Sequence, residues 1–139
     1  FLELGGYPTG FAVCEDVNFL ICLCARSRRV GVVCAPTAAY CIHDNSATRS
    51  NPLRAQQHTL AALKALVPQL RQSPPAIRRG LRDAIRHARL DLAQCLLRMG
   101  HRRKAAAAAL PLLGHANASA VRGALWILKG ALLARTDGR

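Results

Sequence analysis

Two adjacent carboxylates, Glu15 and Asp16, are the residues of this 139-residue chain best placed to do chemistry. They follow a turn segment, Gly5-Gly6-Tyr7-Pro8-Thr9-Gly10, and open a predicted helix. The dipole at a helix N-terminus favours the ionised form, which suits a carboxylate that must accept a proton from a hydroxyl. Helix capping is the other use of such a pair and, on spacing alone, the commoner one, because acidic residues are frequent in first helical turns. A further candidate is His43, at the end of a predicted strand and beside Asp44, Asn45 and Ser46. A histidine there can ligate a metal, carry a proton or contact a phosphate, or simply stand exposed. His58, His87, His101 and His115 have no paired carboxylate and histidine at metal spacing and read as surface residues. The six cysteines, at positions 14, 22, 24, 34, 41 and 95, make a poor zinc set, since Cys22-Leu-Cys24 is a C-x-C and no second pair follows. Reduced thiols behaving as small hydrophobes are expected instead. The chain has no Gly-rich phosphate loop, no G-x-S-x-G elbow and no D-x-D pair, so its own residues do not assemble a nucleotide site.

The elements that would carry these residues divide at position 50. A helix is predicted from about Glu15 to Ala25, with Phe19, Leu20 and Leu23 on one side. Val30-Gly31-Val32-Val33-Cys34 reads as a buried strand, and Ala38 to His43 as a second extended run. From Ser50 onward the pattern is helical. Asn51 or Ser50 caps a helix with Pro52 in its first turn, and Leu53, Leu60, Leu63, Val67 and Leu70 recur along it, with a break or kink at Pro68. After Ser73-Pro74-Pro75 comes a stripe of Ile77, Leu81, Ile85, Ala88, Leu92, Cys95 and Met99, which Gly100 stops. Arg102 to Leu113 follows, and Val121, Leu125, Leu128 and Leu132 mark a last amphipathic helix. No repeat period emerges.

Charge divides at the same place. Residues 1–50 carry four basic and four acidic residues, whereas residues 51–139 carry 16 basic and three acidic, which accounts for the whole net charge of +13. Hydrophobic content of 51% rules out a disordered tail, and charged residues interrupt every apolar run long enough to span a bilayer. The basic face formed by Arg78, Arg79, Arg82, Arg86 and Arg89, with Arg102, Arg103 and Lys104 beyond it, suits an anionic membrane surface. Nucleic acid is disfavoured, since the basic residues lack interleaved aromatics for base stacking. The chain opens at Phe1 with neither a basic n-region nor a signal-like apolar segment, which points to a piece of a longer protein.

Three pieces of the first 50 residues add to this reading. Leu4-Gly5-Gly6-Tyr7, Glu15-Asp16-Val17-Asn18-Phe19-Leu20 and Tyr40-Cys41-Ile42-His43-Asp44-Asn45-Ser46-Ala47-Thr48 together resemble, in order and spacing, the later part of family 2 glycosyltransferases of the GT-A fold. The resemblance implies an α/β fragment over residues 1–50, the end of a nucleotide-sugar transferase fold, followed by a basic α-helical extension over 51–139, mostly α overall. It also implies inverting transfer of a sugar from a nucleotide-sugar donor to a glycan or lipid-linked acceptor. Asp16 would be the general base and Glu15 would orient the acceptor. His43 would contact a divalent metal, Mg2+ or Mn2+, or the diphosphate, and residues before Phe1 would complete that site. A cytoplasmic place, peripheral at the inner membrane face, goes with such chemistry. Asn18 stands where many members have a second acid, Cys22 where an Arg usually follows, and Cys41 where the Tyr-Arg-x-His pattern has Arg. The alternative from another class is a non-enzymatic basic helical module that binds an anionic membrane or nucleic acid.

Overall fold

A computed structural model describes residues 1–11, 13–27, 29, 31, 33–39, 46–114 and 118–133. Helices α1 (Glu15–Arg26), α2 (Ala47–Ser50), α3 (Pro52–Gln69), α4 (Pro75–Arg98), α5 (Arg102–Ala109) and α6 (Ala118–Leu133) are joined by turns and extended chain, with single 3-10 turns at Leu2–Leu4 and Leu110–Leu112. Among the described residues there is no strand and no sheet. This corrects the α/β expectation. The described part of the first proposed strand, including Gly31, Val33 and Cys34, is exposed chain, with Val33 71% accessible. A strand gains its backbone hydrogen bonds from a neighbour, and nothing among the described residues supplies one. The second proposed strand lies outside the described residues from Tyr40 onward.

The helical elements follow from local sequence. The Asn51 side chain accepts from the Arg54 amide at 3.0 Å, with Pro52 at the first helical position, and this caps α3. Such a cap contributes about 1 kcal/mol. Pro68, where the sequence predicts a break or kink, sits in the last turn of α3, and the helix ends one residue later. Helix α4 stops in a Schellman motif: the His101 amide donates to the Leu96 carbonyl at 2.8 Å and the Gly100 amide to Leu97 at 3.0 Å. Gly100 takes the left-handed conformation this requires, at φ 77°.

At 24 residues α4 is about 36 Å long and serves two cores. Its N-terminal half, with Leu81 and Ala88, packs against Leu60, Leu63, Leu66 and Leu70 of the α3 segment, and Ile21, Cys22 and Ala25 of α1 lean on this cluster. Its C-terminal half, with Ala93 and Leu96, meets Ala105, Ala109 and Leu112 and then Ala124 and Ile127 of α6. Leu92 touches both clusters. Helix α1 therefore faces inward through Asn18, Ile21, Cys22 and Ala25, and the expected inner residues Leu20 and Leu23 are exposed.

Helix α6 departs furthest from its pattern. Ala120, Ala124 and Ile127 are buried, whereas Leu125 and Leu132 lie outside. Small residues bring its backbone close to α4, where Leu90 sits over Gly123 and Leu97 over Gly130. Both pairs are seven residues apart, so one leucine per two turns fills the room that each glycine leaves. Among the described residues no helix is long and apolar enough to cross a membrane.

Candidate functional site

The acidic pair opens α1, where the sequence places it. The residue before it, Cys14, is the N-cap and takes a left-handed conformation at φ 69°, the one non-glycine residue at positive φ among those described. A β-carbon in that region costs about 1–2 kcal/mol, so something must hold the residue there. The Cys14 thiol lies 3.2 Å from the Thr59 hydroxyl of α3. One turn on, the buried Asn18 amide donates to the Ala62 carbonyl at 2.9 Å. One turn further, the Cys22 thiol donates to Gln69 at 3.4 Å. Residues 14, 18 and 22 form a single row, and three polar contacts along it fix the rotation of α1 on α3.

That rotation leaves the Asp16 side chain in solvent and Glu15 half-buried. One Asp16 oxygen, Oδ1, accepts from the Val17 amide at 2.7 Å, which satisfies one of the free N–H groups of the first turn. Glu15 Oε2 is buried and has no hydrogen-bond partner among the described residues. The Gly-Gly-Tyr turn is held over the same helix by an aromatic trio: the Phe1, Tyr7 and Phe19 rings have centroids 5.0–5.3 Å apart, two of the three pairs edge-on. Gly6, at φ 70°, lies against the Phe1 ring, where a β-carbon would approach to 3.2 Å. Phe19, which the turn packs on, is one helical turn from Asp16. Beside it, an apolar groove of about 360 Å³ runs from Val17 along Leu20 and Cys24, with Ile77, Leu81 and Ala84 of α4 as its other wall.

Glu15 and Asp16 thus stand in the first turn of α1, with the Gly-Gly-Tyr turn packed on Phe19 of the same helix, and His43 lies outside the described residues. No group of three or more His, Cys, Asp or Glu that could hold a metal occurs among the described residues. The divalent cation implied by resemblance therefore has no ligand set within them, and no step is assigned to it. The described cysteines, all but Cys41, are free thiols. Asn18 acquires a role that motif reading missed: its amide donates to a buried carbonyl, which a carboxylate in its place would repel. The Cys14 conformation carries no signal in the sequence. No family model matches the chain, and neither the curated proteins nor the solved structures contain a match to it.

Proposed function

We propose that this chain carries the acceptor side of a nucleotide-sugar-dependent glycosyltransferase, with Asp16 as general base. The observation that supports this most is the pairing of an exposed Asp16 carboxylate with a half-buried Glu15 under a turn that aromatic packing holds in place. With Oδ1 bonded to the Val17 amide, Oδ2 is left to accept the proton of an acceptor hydroxyl. As that proton passes to Asp16, the acceptor oxygen bonds to the anomeric carbon from the face opposite the leaving group. The bond from that carbon to the diphosphate oxygen breaks, and its electron pair leaves with the nucleoside diphosphate. Glu15, half-buried beside Asp16, orients the acceptor on this reading. The apolar groove starting at Val17 favours a lipid-linked acceptor, whose hydrocarbon it would line.

The test measures transfer and donor binding separately. Asp16→Asn keeps size and capping ability but removes the accepting charge. Transfer should fall by about two to four orders of magnitude, with donor binding kept, and Glu15→Gln should cost less. Unchanged transfer by Asp16→Asn would reduce the pair to a helix cap and end the proposal.

A further inference from the structure

The outer face of α6 combines features that a buried or purely solvated helix lacks. Leu125, Trp126, Leu132 and Leu133 are 53%, 63%, 68% and 55% exposed, and Arg122 and Lys129 stand among them. At 100° per residue these six span an arc of about 120°, opposite Ala120, Ala124 and Ile127. Alongside lies an open groove of about 560 Å³ between the start of α5 and the end of α6. Leu128, Ala131, Leu132 and Ala106 form its apolar wall, and His101, Arg102, Arg103 and Lys104 its rim. From Leu92 to Leu133 the chain has no acidic residue and six basic ones, Arg98, Arg102, Arg103, Lys104, Arg122 and Lys129. The first turn of α5 itself contains no acidic residue.

We propose that this surface, the outer face of α6 with the adjoining α5–α6 groove, docks the protein on an anionic lipid bilayer. Apolar side chains enter the headgroup boundary, where an indole ring with its N–H outward is favoured. Lys129 and Arg122 reach past the leucines to lipid phosphates, and Arg103 and Lys104 at the groove rim add attraction. The arginine face of α4 is a weaker candidate for the same task. Arg86 pairs with Asp83 on its own helix, Asp91 follows one turn further on, and no exposed large apolar side chain accompanies Arg78, Arg79 and Arg82. A protein partner would find, among the described residues of this face, no acidic residue for its own basic groups. Bases of a nucleic acid would find a single aromatic to stack on. Docking here stands independently of the transferase reading.

Trp126 is the chain's only tryptophan and reports on this face directly. Vesicles of phosphatidylcholine alone, and of phosphatidylcholine with about one-third phosphatidylglycerol, are titrated into the full 139-residue chain at low salt, with Trp126 emission as the readout. The expected result is a blue shift with the anionic vesicles only, reversed as salt rises. At about fivefold per basic residue near the surface, Arg103→Glu/Lys104→Glu should weaken partitioning about 30-fold or more. Arg78→Glu/Arg79→Glu makes the same charge change on α4 and should weaken it far less. Circular dichroism checks that both variants stay folded, and Leu125→Ser/Leu132→Ser provides a second, uncharged test that should also reduce partitioning. Equal binding to neutral vesicles, equal loss from both charge pairs, vesicle binding without a Trp126 shift, or preference for single-stranded RNA over anionic vesicles would each overturn the proposal.

Discussion

Replacing Gly123 with alanine should destabilise this protein, although alanine is the better helix former. A β-carbon at Gly123 would lie 2.9 Å from both terminal carbons of Leu90 and 3.5 Å from its branch point, so the whole leucine head must move. Overpacking of this kind costs about 1–3 kcal/mol, and helix propensity returns about 1 kcal/mol. The net is a loss of up to about 2 kcal/mol. Gly130 has one close neighbour, a Leu97 terminal carbon at 3.0 Å with the next at 3.9 Å, so a small shift suffices and Gly130→Ala should be close to neutral. Gly80 is exposed within α4 with nothing within 4 Å, and Gly80→Ala should stabilise by about 0.5–1 kcal/mol. Urea unfolding followed by circular dichroism gives the three midpoints, compared at constant m. Leu90→Ala made together with Gly123→Ala should show favourable coupling, because the clash needs both side chains. A midpoint for Gly123→Ala equal to or above that of Gly80→Ala would refute the close approach of α6 to α4, and with it the placement of Leu125 and Leu132 outside.

Two further predictions concern α1. At Cys14 the left-handed backbone reverses the usual helical ranking, so Cys14→Gly should be more stable than Cys14→Ala by about 1 kcal/mol in the same urea assay, both having lost the thiol contact with Thr59. Asn18→Asp should be tolerated at low pH, where a protonated carboxyl can still donate to the Ala62 carbonyl, and should lose stability as pH rises. The sign follows from linkage: the native environment holds the proton more tightly than the unfolded chain, so the contribution is full below the unfolded value of about 3.9 and is lost as pH rises through the higher folded value. Thermal melts at pH 3.5 and 7 relative to the parent chain measure it, and equal differences at the two pH values would deny the Asn18 bond a role.

How much of this was legible in the sequence depends on whether a signal was local. The Asn51 cap, the Gly100 stop and the start of α1 at Glu15-Asp16 each rest on residues within one or two turns of one another, and the structure has them where the sequence puts them. The strand read into Val30–Cys34 failed for the opposite reason. β-Branched residues make a pleated surface favourable, but only a paired neighbour at the right register makes it a strand, and Val33 ends up in water.

The side-chain facing of α1 and α6 misled for a subtler reason, and it bears on function. Hydrophobic periodicity assumes that the largest apolar residues turn inward, yet packing depends on how near two backbones can come. In α6 the inward row is Ala120, Gly123, Ala124, Ile127 and Gly130, and the bulk that fills the interface comes from Leu90 and Leu97 on the other helix. In α1 the inward row carries Asn18 and Cys22, two residues that motif comparison registers only as departures from an acid and an arginine. Here they are the donors that fix the helix on α3. By setting that rotation they leave Asp16 exposed one turn before Phe19. Asn18, Cys22 and the exposure of Asp16 are therefore parts of a single packing arrangement, and a chain with an acid at position 18 would have to find another way to hold α1 in this orientation.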